Sequence, residues 1–243
     1  MRILAVGAHP DDLEILCGGT LAKYAQAGHH VTMAVATNGE LGSPTLPKEE
    51  IAEIRHQEAC ASAALIGADF IWINCPDGGL YSNEDTRLRF LNAVRKVRPD
   101  IILTHAPTDY HPDHRATGEI TWGTRIFTII PSMKTEETPC LKIPDIYFFD
   151  TTAGVDFEPE YYVDISETFE LKRQMLACHK SQLVWFENQY QINDYMELLA
   201  YSSRRGKQCG VKHAECFRLC RNWPDPAPVS WPFQPMNSSI PKP

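Results

Sequence analysis

The sequence predicts an α/β protein built on a doubly wound, mostly parallel sheet in a single domain. Short apolar runs alternate with stretches of helical spacing through the N-terminal half. That order implies right-handed βαβ crossovers. The runs are apolar throughout instead of alternating, as in strands covered on both faces. Chemistry-bearing polar residues gather just after such runs, and in open parallel sheets that is where ligands bind.

The elements follow in order. Ile3-Leu4-Ala5-Val6 reads as the first strand, and residues 13–26 as one helix with Gly18-Gly19 inside it. Gly28 closes that helix, and residues 31–36 form a second buried strand. Residues 37–44 are a loop by composition. Pro47 opens a long helix with Glu49 and Glu50 in its first turn, where the helix dipole favours acids. It runs through Ile51, Ile54, Ala61 and Leu65 to Gly67. Phe70-Ile71-Trp72-Ile73 is the third strand, ended by the turn Pro76-Asp77-Gly78-Gly79. A helix over residues 84–98 and a strand over 100–104 complete the fourth unit. A helix at 115–129, strands at 146–149 and 161–165, helices at 167–180 and 192–205, and a strand at 215–219 follow. Seven prolines after Trp223 are too many for a regular element. The chain is thus read as one domain over residues 1–222 and a Pro-rich tail over 223–243.

Composition narrows the function. At 243 residues, 43% hydrophobic and 22% charged, the chain is globular in class and long enough for one well-buried core. A formal net charge of −8 argues against nucleic acid and anionic membranes as partners. No apolar run approaches the ~20 residues of a membrane-spanning helix. The N-terminal run stops at His9-Pro10, so it supplies no signal-peptide core. Eight cysteines without Cys-x-x-Cys spacing then read as free thiols, and the cytoplasm as the compartment. The turn after the first strand, Gly7-Ala8-His9-Pro10-Asp11-Asp12, lacks the glycine pattern of dinucleotide binding. A phosphate-binding loop and a Gly-x-Ser-x-Gly nucleophile elbow are also absent.

Two stretches carry chemistry. His9, Asp11 and Asp12 sit where the first strand turns into the first helix, a position at which Asp also serves as a helix cap. His105, His111 and His114, with Asp109 and Asp113, follow the fourth strand within ten residues. Both turns face the same edge of the sheet, and this convergence favours a metal site over capping. Catalytic zinc takes about three N or O ligands and keeps one open position. His9, Asp12 and His114 supply such a set, and Asp11 is placed to be the general base. His111, paired with Asp113, could stay protonated and stabilise an oxyanion. His105 reads as a group behind the ligands or an ordinary loop residue, and Asp109 and Tyr110 have no assignable role. Trp185, Phe186 and Tyr190 could stack on a sugar, although aromatic clusters between helices more often form core.

Ala8-His9-Pro10-Asp11-Asp12, followed by Gly18-Gly19-Thr20, resembles the signature of the LmbE/PIG-L superfamily of zinc-dependent N-deacetylases, and His111-Pro112-Asp113-His114 resembles its second motif. Thr37-Asn38-Gly39-Glu40, Ile54-Arg55-His56-Gln57-Glu58, Pro76-Asp77-Gly78, His179-Lys180-Ser181-Gln182 and Ala214-Glu215-Cys216-Phe217 extend the likeness over residues 2–220. His213 departs from the family's aromatic before Ala-Glu. The resemblance implies a Rossmann-like fold with one zinc per chain on His9, Asp12 and His114, iron or cobalt remaining compatible with the same set. It implies Asp11 as base, His111 oriented by Asp113, and Arg55 in contact with substrate. The implied reaction removes the N-acetyl group of an amino-sugar conjugate of the N-acetylglucosamine type, giving acetate and a free amine. A zinc amidase acting on a non-sugar amide or larger conjugate is the alternative, ahead of a non-catalytic sugar-binding protein. A two-metal phosphoesterase would need more bridging carboxylates. A homo-oligomer, trimer or hexamer, is expected by analogy.

Overall fold

A computed structural model of the chain describes residues 1–152, 154–191, 195–227 and 231–235. Eight strands form one sheet in the order β3-β2-β1-β4-β5-β7-β6-β8. The strands are β1 (Arg2–Gly7), β2 (His30–Thr37), β3 (Asp69–Cys75), β4 (Ile101–Thr104), β5 (Asp145–Phe149), β6 (Tyr161–Asp164), β7 (Ala214–Leu219) and β8 (Gln234–Pro235). The first five are parallel, and β7, β6 and β8 extend the sheet antiparallel. The doubly wound, mostly parallel α/β sheet is therefore present as expected.

The buried runs explain the layers. In β1, Ile3 and Ala5 join a core on one face, while Leu4 and Val6 join a core on the other. Helices α1 (Asp12–Leu16), α2 (Gly18–Gln26), α3 (Lys48–Leu65) and α6 (Phe169–Leu176) give apolar side chains to the first core. Helices α4 (Glu84–Val97) and α5 (Pro112–Thr124) give theirs to the second. The sheet grows outward from β1 through β2 to β3, then crosses back to β4. The gap between β1 and β4 is thus a topological switch point, where the loops after both strands can diverge around a ligand.

Three elements differ from their sequence reading. The helix expected over residues 13–26 is two helices, α1 and α2, broken at Cys17 (φ −143°). The break exposes helix-end groups that a buried ion pair satisfies. Lys172 Nζ donates to Ile15 O (2.7 Å) and pairs with Glu215 Oε1 (2.5 Å). Glu215 in turn accepts the N–H groups of Gly19 (2.9 Å) and Thr20 (2.7 Å), capping α2 from 195 positions away. A Cβ at Gly19 would lie 2.8 Å from Ile165, so that position must stay bare. The helix expected to start at Arg115 begins at Pro112, whose missing N–H suits the first helical turn, and passes into a 3₁₀ turn at Arg125–Ile129. His114 and Asp113 thus lie on a helix and not in a loop. In the tail, Gln234 and Pro235 pair along β6, and buried Phe233 stacks on Tyr147 with centroids 4.2 Å apart. An edge strand can hold a proline because one side of it needs no donor. Helices α7 (Lys180–Tyr190) and α8 (Tyr195–Cys209) complete the described elements; the first residues of the helix read from the sequence at 192–205 lie outside the described residues.

Glu215→Gln should strand the buried Lys172 ammonium without a counter-charge and cost about 3–5 kcal/mol. Urea unfolding measures the loss. Adding Lys172→Met to that variant should recover part of it, because the stranded charge is then gone.

Candidate metal centre and active site

The turn after β1 is held by its neighbours before any ligand arrives. Thr37 donates to Ala8 O through both its N–H and its hydroxyl, each at 2.9 Å. Arg55, buried in α3, donates from Nη2 to Pro10 O (2.7 Å) and from Nη1 to Gly39 O (3.1 Å). Gly39 lies at φ +63°, and a Cβ there would meet the guanidinium at 2.6 Å, so glycine is required for this approach. The clamped chain turns through Asp11 at φ 120°, ψ −25°, a strained backbone for a residue with a side chain. That turn directs Asp11 and Asp12 apart, Asp11 toward Arg55 (Oδ1 to Nη2 3.7 Å) and Asp12 into a group of histidines.

Asp12 is where the two sequence clusters meet. Its Oδ2 accepts the His9 N–H (2.6 Å) and lies 3.4 Å from His9 Nδ1 and 3.2 Å from His105 Nε2. Its Oδ1 lies 3.2 Å from His114 Nε2. Asp109 Oδ1 stands 3.1 Å from the other ring nitrogen of His114. His9 Nε2 faces Asp77 Oδ1 (3.2 Å) and Asp113 Oδ2 (3.4 Å). His105 is fully buried, stacks on His114 (centroids 4.1 Å apart) and takes the Ala8 N–H on Nε2 (3.0 Å). A Cβ at Gly118 would come within 2.3 Å of His105 O, so α5 reaches the end of β4 only through that glycine.

Among the described residues three overlapping groups could hold a metal ion: His9 with His111 and His114, Asp12 with His105 and His114, and His9 with Asp77 and Asp113. In each, the donor atoms lie within 4.8 Å of one another. Imidazole nitrogens with a carboxylate oxygen are the donor chemistry of a divalent transition metal. No cysteine enters these groups. The eight cysteines are free thiols, and His213 stacks on Phe169, centroids 3.7 Å apart, as packing.

The electrostatics follow from burial and from this crowding. Burial pushes the Asp11 carboxyl up to about 6, with Arg55 opposing and Asp12 assisting. Burial also pushes Asp12 upward, but the charge of His114 beside it prevails and leaves the carboxyl well below its usual range. For His114, burial works downward and is outweighed by Asp12 and Asp109, which lift it to about 9. His9 is raised in the same way against its own burial, chiefly by Asp113, Asp12 and Asp77. His111 goes the other way, lowered by burial and by the positive charges of His9 and His114.

The structure therefore corrects the expected His111–Asp113 pair. The Asp113 carboxylate is used by Gly78 N–H (2.8 Å), Leu80 N–H (3.1 Å) and His9 Nε2. His111 instead caps α5 and accepts the Asp113 backbone N–H on Nδ1 (3.3 Å). That bond assigns the ring proton to Nε2. His111 is thus placed as an Nε2–H donor, held by the helix end, with its Nδ1 turned to the α5 backbone instead of to the Asp113 carboxylate. Asp77, Asp109 and His105 are the participants to which sequence reasoning gave no firm role. The spacing Asp109 to His114 is a usable signal once Pro112 is known to start a helix. Asp77 is marked only as a member of the Pro76-Asp77-Gly78 turn that the resemblance includes, with no role attached.

One cleft of about 260 Å³ has His9, Asp11, Asp12, Arg55, Asp77, His111 and His114 on its walls. Trp185, Phe186 and Tyr190 from α7 also line it, as does Tyr110, and Tyr190 and Tyr110 are 63% and 61% exposed. These aromatics are therefore at the cleft and not in the core. Among the described residues no helix is long and apolar enough to cross a membrane.

Known proteins share this fold. A family described as PIG-L, GlcNAc-PI de-N-acetylase, matches residues 4–124, which contain both His/Asp clusters. Diacetylchitobiose deacetylase of Thermococcus kodakarensis is 28% identical over 90% of this chain and 82% of its own. The structure of N,N'-diacetylchitobiose deacetylase from Pyrococcus horikoshii superposes with a TM-score of 0.78 at 28% identity, covering 90% of this chain and 83% of that one. A 4-oxalmesaconate hydratase of Pseudomonas putida is 24% identical over 74% of this chain and 73% of its own. With the fold, the paired motifs and these relatives in agreement, the chain belongs to the LmbE/PIG-L superfamily.

Proposed function

We propose that the chain is a metal-dependent N-deacetylase that removes the acetyl group of an amino-sugar conjugate of the N-acetylglucosamine type. The observation that carries this is the Asp12 carboxylate, set within 3.4 Å of ring nitrogens of both His9 and His114, with Asp11 beside it in the same cleft. His9, Asp12 and His114 are the residues that would hold the metal, zinc being the expected ion at one per chain. When bound, a divalent metal supplies a Lewis acid and a water acidified toward ~7.

The remaining work belongs to side chains. Asp11, held by the strained turn and facing Arg55, accepts the proton of the attacking water. The oxygen adds to the amide carbon, and the carbonyl oxygen becomes an oxyanion. His111 donates its Nε2–H to that oxyanion, a preorganised dipole that needs no proton from solvent. Asp11 then returns its proton to the nitrogen, the C–N bond breaks, and acetate and the free amine leave. Arg55 supports the turn through the Pro10 and Gly39 carbonyls and faces the cleft, from which it contacts substrate. The relatives named as deacetylases support the acyl group, and the aromatics at the mouth suit the face of a sugar ring. The chain acts on a small molecule.

A second reading has one observation behind it: a relative named as a hydratase. The same base and metal could add water to an activated carbon–carbon double bond, a reaction that frees no acetate.

Release of acetate and primary amine from N-acetylglucosamine, its oligomers and glycosides, and N-acetylgalactosamine separates these readings. Equimolar release of both products is expected from at least one of them. No acetate from any, together with water uptake by 4-oxalmesaconate, would favour the hydratase. Asp11→Asn should lower kcat by about 10²–10⁴-fold while metal content, read by elemental analysis, stays at the wild-type level.

A further inference from the structure

Two carboxylates from different elements end on one atom. Asp77 Oδ1 lies 3.2 Å from His9 Nε2, and Asp113 Oδ2 lies 3.4 Å from it. Neither carboxylate is free to swing away. Asp77 Oδ2 accepts the Leu41 N–H (3.2 Å) from the loop after β2, and its side chain is 8% exposed. Asp113, buried in the first turn of α5, accepts Gly78 N–H and Leu80 N–H from the turn after β3. On the opposite side of the ring, His9 Nδ1 faces Asp12. A neutral imidazole carries a single N–H. Two fixed acceptors on Nε2 hold one proton there, so the proton a metal would displace is the one on Nδ1, which faces Asp12. The backbone alone does not fix the ring, because His9 is joined to the turn only through rotatable side-chain bonds.

We infer that Asp77 and Asp113 are a positioning pair for His9, fixing its tautomer and ring orientation so that Nδ1 is the atom offered to the metal. The inference rests on the metal reading proposed above and adds to it. It assigns a function to Asp77 and moves Asp113 from His111 to His9. It also places the loop after β2, which carries cleft residues Leu41 and Gly42, in contact with a metal ligand through a single carboxylate. Carboxylates behind a ligating histidine set its basicity and direction, and their loss commonly weakens metal binding 10–100-fold.

The test is metal affinity of the full chain, with zinc and with cobalt, by competition against a chromophoric chelator. Asp77→Asn and Asp113→Asn are compared with Asp11→Asn, which removes a negative charge beside Asp12 from a residue with no bond to His9. Asp77→Asn and Asp113→Asn should each weaken binding by about 10–100-fold and alter the visible spectrum of bound cobalt. Asp11→Asn should stay near wild type in both. Thermal melts of the metal-free proteins check folding, and Asp77→Asn is decisive because Asp113 also ties Gly78 and Leu80. Equal weakening in all three variants would reduce the effect to charge through space and overturn the inference. An Asp77→Asn protein with wild-type affinity and spectrum would overturn it as well, leaving the metal reading intact. A wild-type chain that binds neither ion would remove the metal reading and the inference together.

Discussion

The site depends on one buried carboxylate. Among the described residues, Asp12 is the carboxylate on which ring nitrogens of both clusters converge, His9 from its own turn and His105 and His114 from beyond β4. A buried carboxylate is expensive unless charge and hydrogen bonds surround it. Here it has a backbone N–H at 2.6 Å and the ring nitrogens of His9 and His114, both raised above the ordinary imidazole value beside it. The same crowding that stabilises the anion gathers ring nitrogens within reach of one ion. A metal at this point would replace protons that the histidines otherwise share with their carboxylates.

The fold supplies that carboxylate with a rigid base. The switch point between β1 and β4 brings the two His/Asp turns together, because the chain leaves β1 on one side and returns on the other. Arg55 and Thr37 then pin the turn, absorbing the strain at Asp11 through carbonyls that would otherwise lack donors. Below it, the break at Cys17 keeps α1 to a single short stretch under the site, and the Lys172–Glu215 pair satisfies both ends of the break. Lys172 and Glu215 are tolerated at full burial because each has the other and backbone partners besides.

Much of this was legible in the chain. The strands from β1 to β4 announce themselves because parallel strands covered on both faces must be apolar throughout. The two His/Asp clusters stand out because such residues rarely crowd after a buried strand without a shared task. What was not legible depends on distant partners. The helical period runs unbroken through Cys17, and the residue that caps α2 lies on β7. Asp77 looks like any turn residue until the fold sets it against His9. The pairing of His111 with Asp113 followed from their proximity in sequence, but the first turn of α5 directs the two side chains to different neighbours. Phe233 reached the core from a segment whose composition argued only against regular structure.

The most direct measurement is X-ray absorption at the zinc edge of the metal-loaded chain, with the metal counted per chain. A site centred on Asp12 predicts one zinc per chain in an all-nitrogen-and-oxygen shell at about 2.0–2.1 Å, with the multiple-scattering signature of two imidazoles, lost in Asp12→Ala. A sulfur shell at about 2.3 Å, or zinc retained unchanged in Asp12→Ala, would place the metal elsewhere and contradict the account.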